Sequence, residues 1–218
     1  MRTEIALARG IALASALWSA AAAAQADDTQ FWLSASARTD LDTRTFVTLD
    51  GSLRLRDDAL RGGDERQARV TFEREIAGGI FLGGGAGVWE GDGGFTELRP
   101  HQQLILIRGP VLARTRLEQR VFDGADRVEI RLRQQIQLAQ SLGPRTQAVV
   151  SGEWLHLLQK RGDDPALSRT EWAGRAAVVT QVGERLFLGA AYIAIWEPRR
   201  GLPDRLAHVP QVTVDIAF

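Results

Sequence analysis

Arginine and glutamate are the residues through which this chain could act. A set on alternating positions comprises Arg54, Arg56, Arg69, Glu73, Arg114, Arg116, Glu118, Arg120, Glu129, Arg131 and Arg133. Opposite charges facing each other across strands add ~0.2–1 kcal/mol per pair. Arginine suits such a lattice because its planar fork binds a carboxylate at two points. The same set holds eight arginines to three glutamates, so its functional reading is an anion-selective constriction.

Other chemistry finds little support. The chain has no Cys, which removes disulfides, thiol catalysis and cysteine zinc sites. His101, His156 and His208 lack metal-ligand spacing and read as strand or interface residues. No G-x-S-x-G elbow occurs for a hydrolase. Gly83-Gly84-Gly85-Ala86-Gly87 fits neither nucleotide-binding glycine pattern and reads as a strand that thins or bends the wall. The loop carboxylates Asp57, Asp58, Asp64, Glu65, Glu90, Asp92, Asp163 and Asp164 have no EF-hand spacing and read as solvated charges. No metal and no cofactor is implied. Lys and Arg total 27, balanced by 27 Asp and Glu; that neutral sum argues against a nucleic-acid partner.

The elements that would position these charges are strands. Met1–Ala26 reads as a cleaved signal peptide, with a basic start, an uncharged run from Gly10 to Ala24 and the small-x-small site Ala24-Gln25-Ala26. Residues 27–218 then form one domain. Alternation is clearest from Arg127 to Leu138, where Val128, Ile130, Leu132, Ile136 and Leu138 oppose Arg127, Glu129, Arg131, Arg133, Gln135 and Gln137. Val47–Arg56, Ala68–Ile76, Val111–Val121 and Gln211–Phe218 repeat it. Strands of about ten residues exceed the ~5–6 usual in soluble sheets and match membrane barrels, with apolar faces on lipid and polar faces in the lumen.

Connections alternate between tight turns, such as Ala77-Gly78-Gly79 and Arg108-Gly109-Pro110, and longer polar loops, such as 57–65 and 159–169. The expected fold is all-β: an antiparallel up-and-down transmembrane barrel of about ten core strands. Counted from Phe46, both ends lie on the periplasmic side. The strand-like run Gln30–Leu41 is additional, and it could lie at the seam, lie inside or raise the count by one. Phe46, Trp89, Phe95, Phe122, Trp172, Phe187 and Trp196 fall near strand ends and are assigned to interfacial girdles. A barrel near ten strands is filled by side chains, while open channels appear at ~16 strands. Size therefore favours the charged set as a structural lattice.

The ending Val212-Thr213-Val214-Asp215-Ile216-Ala217-Phe218 resembles the C-terminal signal of bacterial outer-membrane proteins, with Val212, Val214, Ile216 and Phe218 as its apolar positions. That resemblance implies insertion by the barrel-assembly machinery. Phe31-Trp32-Leu33, Leu53-Arg54-Leu55-Arg56, Leu117-Glu118-Gln119-Arg120 and Arg131-Leu132-Arg133 together resemble the uncharacterised family known as domain of unknown function 2490. Its members are secreted bacterial barrels with an Arg-rich middle hairpin. The resemblance implies an outer-membrane location, lipid as a partner and no known activity. The leading expectation is a non-enzymatic outer-membrane barrel with a structural or interaction role, or minor solute passage. A narrow anion-preferring channel, a membrane-embedded hydrolase and a soluble periplasmic ligand-binding barrel stay open.

Overall fold

A computed structural model describes residues 26–56, 62–94, 96–162 and 169–218. The predicted signal peptide (Ala26 apart), Asp57, Asp58, Phe95, Asp163 and Asp164 lie outside the described residues. The described elements are strands: β1 (Ala26–Thr29), β2 (Phe31–Asp40), β3 (Thr45–Leu55), β4 (Glu65–Ala77), β5 (Ile80–Gly91) and β6 (Thr96–Arg108), followed by β7 (Val111–Phe122), β8 (Glu129–Ser141), β9 (Thr146–Gln159), β10 (Thr170–Gln181), β11 (Leu186–Glu197) and β12 (Arg205–Ala217).

From β2 to β12 each strand pairs antiparallel with the next, and β12 pairs back onto β2 to close an eleven-stranded barrel. Closure is parallel, running from Gln211 opposite Trp32 to Ala217 opposite Arg38. The short β1 extends the same seam, also parallel to β12. The run 30–41 therefore belongs at the seam, and the barrel is mixed rather than wholly up-and-down. The ten strands β3–β12 begin and end at the same rim, as the count from Phe46 expects; β2 makes the count odd and puts Phe31 at the rim opposite Phe218. Parallel pairing makes this possible, since a closed antiparallel barrel needs an even number.

Short turns at 41–44, 78–79, 109–110, 142–145 and 182–185 gather at one rim, and the longer connections at the other. Side chains alternate across the wall because successive Cβ atoms in a strand point to opposite faces. Leu49, Phe72, Leu104, Ile136, Leu138 and Val150 stand exposed on the outside. Glu97, Arg99, His101, Gln103, Arg116, Glu118 and Glu129 are buried inside. The polarity is the reverse of a soluble barrel that holds an apolar ligand.

The aromatic expectation needs correction. Trp172 and Trp196 do face outward, and they are direct cross-strand neighbours in one row with Trp154. Trp154 also stacks on His156, with ring centroids 5.3 Å apart. Trp89 and Phe122 are buried inside instead. Phe46 faces inward against Phe81, and Phe187 shares the inward position of its partner Asp215. Position near a strand end was legible; the face depends on one residue of parity, which proximity to an end does not fix.

Candidate functional site

All eleven charged residues singled out from the sequence sit on the inner face, and most join three ion-paired groups. The largest spans β7, β8 and β9. Arg131 donates from Nε and Nη2 to Glu118 Oε2 at 2.8 and 2.6 Å. Arg133 bridges Glu118 at 3.1 Å and Glu153 at 2.5 Å. Arg114 reaches Glu153 at 3.3 Å. Arg116 lies opposite Arg133 in the ladder, a like-charge pairing that the shared Glu118 offsets; its own distance to that carboxylate is 3.8 Å. Arg116 spends its remaining donors on Gln103 Oε1, at 2.8 and 2.6 Å. Four arginines thus rest on two glutamates.

A second group lies towards the long-loop rim. Glu97 accepts from Arg120 at 2.7 and 2.8 Å and from Arg99 at 2.8 Å. Arg120 also pairs with Glu129, its direct neighbour across the strands. Arg99 lies flat on Trp89, 3.6 Å from the ring centroid. In the third group Arg54 and Arg56 share Glu65, at 3.0 and 3.1 Å. Separately, Arg69 pairs with Asp50 at 2.9 Å, and Glu73 accepts from Gln103 at 2.6 Å with Arg38 3.7 Å away. Glu97, Glu118 and Glu129 are each no more than 2% exposed. Carboxylates that deep persist only with hydrogen-bonded cations beside them.

Several members were not singled out. Glu65, assigned to a solvated loop, is the first residue of β4 and points inward. Glu97 and Arg99 precede Pro100; the β6–β7 ladder skips Arg99 and Pro100, as expected where a residue has no N–H to donate. Their alternation with Leu98 and Leu104 was the available signal. Glu153 was hidden because β9 is apolar on both faces, with Val149, Leu155 and Leu157 inside and Val150, Trp154 and Leu158 outside.

Among the described residues, two of the cavities in the lumen flank the four-arginine group. One, of about 220 Å³, lies towards the long-loop rim and touches Arg131, Arg133 and Glu153. The other, of about 270 Å³, touches Arg114, Arg116, Asp50 and Arg69. The four-arginine group stands between them. The facing wall is built differently: Ala207 and Val209 are fully buried and pack with Ile193, Ala173, Ile195 and Trp32. Small residues there make room for long side chains reaching across from β6–β8.

The glycine run plays a related part. Gly83, Gly85 and Gly87 line the inner face of β5. A Cβ on Gly87 would fall 2.5 Å from Trp89 Cζ3, and one on Gly83 would fall 2.6 Å from the Phe72 carbonyl oxygen. The missing side chains let the neighbouring backbone approach closely and leave space for the Trp89–Arg99 stack. His101 is buried inside, 3.3 Å from Thr71 Oγ1. His208 and His156 face outward, beside Tyr192 and Thr170 respectively. The three do not converge.

Polarity and contents together define a class: a closed β-barrel, apolar outside, filled by a guanidinium–carboxylate lattice. The chain belongs to the family described as protein of unknown function DUF2490, whose model matches residues 29–202. That span covers β2–β11 and stops before β12. No curated protein matches the chain.

Proposed function

We propose that the protein is a small barrel of the bacterial outer membrane, exported through a cleaved signal peptide at 1–26. Its partners are membrane lipid and, during insertion, the barrel-assembly machinery. The single observation that carries the reading is the polarity of the wall. Leu49, Phe72, Ile136 and Val150 are 50–65% exposed outside, while twelve- and thirteen-residue strands carry the charges inward. A twelve-residue strand is ~40 Å long at ~3.3 Å per residue. Tilted by ~45° it crosses ~28 Å, enough for an apolar band ~25 Å tall. The outward row Trp154–Trp172–Trp196 suits an interface. Val212, Val214 and Phe218 are all exposed on the outer face of the last strand or at its end, where an assembly factor would read them.

The role within the membrane is structural or interaction-based, or minor solute passage. It assigns no catalytic residue. The test is heat-modifiable migration on gels together with membrane fractionation. The proposal expects a folded band that shifts on boiling, in the outer-membrane fraction; recovery of the mature protein as a soluble periplasmic monomer contradicts it.

A narrow anion-preferring channel is the second reading. It is favoured by the four arginines set on two glutamates between the chambers. Planar-bilayer recording decides: discrete anion-selective steps that change in Arg114→Gln with Arg131→Gln support it, and a silent bilayer removes it.

A further inference from the structure

The chamber towards the long-loop rim is lined by two unlike kinds of side chain. Arg54, Arg56, Arg99, Arg120, Arg131, Arg133 and Arg175 reach it, with the carboxylates Glu65, Glu153 and Glu171. Uncharged Trp32, Leu155 and Ile193 line it too, directly across the strands from Arg54, Arg133 and Arg175 respectively. The arginines outnumber the carboxylates. Arg131 and Arg133 share Glu118, which also serves Arg116, and Arg133 shares Glu153 with Arg114. Arg54 and Arg56 share Glu65. Arg175 donates to the neutral amide of Gln211 at 3.2 Å rather than to a carboxylate. Two buried nitrogens beside the chamber, Arg54 Nε and Arg56 Nη2, have no hydrogen-bond partner among the described residues. Buried donors without acceptors are rare in folded proteins because each forfeits its hydration. Trp32 donates its indole N–H to Gln30 Oε1, 2.9 Å away, and one ring face meets the Arg54 guanidinium at 4.1 Å.

We propose that this chamber is a binding site for a small organic monoanion, one carboxylate attached to a flat or short apolar body. The carboxylate meets the guanidinium groups of Arg175, Arg133 and Arg54, whose forks match its geometry. The body lies against Trp32, Ile193 and Ile195. A volume of about 220 Å³ is under the ~300 Å³ at which drug-sized pockets begin, so the ligand is of single-ring or short-chain size. Glu171, also lining the chamber, disfavours a second negative charge near the rim. Binding of this kind gives the protein a capture function at the long-loop side without requiring a conducting pore.

Benzoate is the probe, titrated calorimetrically into the full mature chain in detergent micelles, with empty micelles as blank. The measurement needs no membrane location, so it can fail while membrane fractionation succeeds, and the reverse. Expected results are one saturable site for benzoate, no saturable heat for benzylamine or benzyl alcohol, and at least tenfold weaker binding of inorganic phosphate. Arg175→Gln weakens benzoate at least tenfold, while Arg145→Gln, in a turn at the far rim, leaves it unchanged. Both variants are first checked for the heat-modifiable folded band. Benzoate heats equal to those of empty micelles overturn the proposal, as does affinity unaltered in Arg175→Gln. Phosphate binding as tightly as benzoate overturns the role assigned to the apolar side chains.

Discussion

Two halves of one wall are built on opposite rules. Across β6–β9 the inner face carries long charged side chains, with Glu97, Glu118, Glu129 and Glu153 each held by one or more arginines. Across β10–β12 it carries Ala173, Ala177, Gly189, Ala191 and Ala207, with Arg175, Ile193, Ile195 and Gln211 as larger side chains among them. Neither half fills the barrel alone. Arginines from the first reach towards the space that the small residues of the second leave open, and close packing is met by pairing large with small across the lumen. Each half is fragile in its own way. The charged half fails by losing a partner, and the small half fails by gaining volume.

The largest effect is expected in the charged half. Glu118→Gln removes the one negative charge shared by Arg116, Arg131 and Arg133. Breaking a buried pair by removing one partner costs ~3–5 kcal/mol, so urea unfolding in micelles shifts by that order or the heat-modifiable band disappears. An unchanged unfolding midpoint would mean that the lattice is not what fills the barrel. A smaller loss is expected in the other half. In Gly189→Val the first added carbon runs into the Thr213 hydroxyl, with Val179 Cγ2 3.5 Å away. Overpacking of this kind costs ~1–3 kcal/mol. If Gly189→Val proved worse than Glu118→Gln, the ranking of the two halves would be reversed.

The smallest effect lies outside both halves, in the turn from β2 to β3. Asp42 Oδ1 accepts the backbone N–H groups of Arg44 and Thr45, both at 2.8 Å. The Arg44 N–H, the strongest influence, holds this carboxyl below its ordinary value. A depressed folded value means the unfolded chain binds the proton more readily. The turn is therefore favoured above the unfolded value of ~4 and loses that help as pH falls through the folded one. The protection of the Thr45 amide, relative to its intrinsic exchange rate, should fall over that acid range in the natural chain, and Asp42→Ala should leave it low and independent of pH.

Legibility in the sequence followed the same division. In β7 and β8 polar and apolar residues alternate with few breaks, Thr115, Gln119 and Gln134 on the outer face among them, so Arg114, Arg116, Glu118, Arg120, Glu129, Arg131 and Arg133 were assigned to the lumen from order alone. In β9, β10, β11 and the first half of β12 both faces are largely apolar or small. Alternation carries no information there, and Glu153, Arg175 and the packed group around Ala207 and Val209 went unassigned. The seam was hidden for another reason. Whether residues 31–40 pair parallel or antiparallel with β12 depends on the closure of the whole ring, which no local pattern encodes. Inward Trp89 and Phe122 show a third limit: a residue at a strand end has few neighbours by which to judge its parity.

The account rests on which face of the wall meets lipid, and the absence of native Cys makes that measurable one residue at a time. Spin labels at Ile136→Cys and Leu138→Cys, and at the inward neighbours Gln135→Cys and Gln137→Cys, would be read in lipid bilayers by relaxation with oxygen and with a water-soluble nickel complex. Oxygen-dominated relaxation at 136 and 138, and low oxygen exposure at 135 and 137, is the predicted result. Nickel-dominated relaxation at 136 and 138 would contradict it.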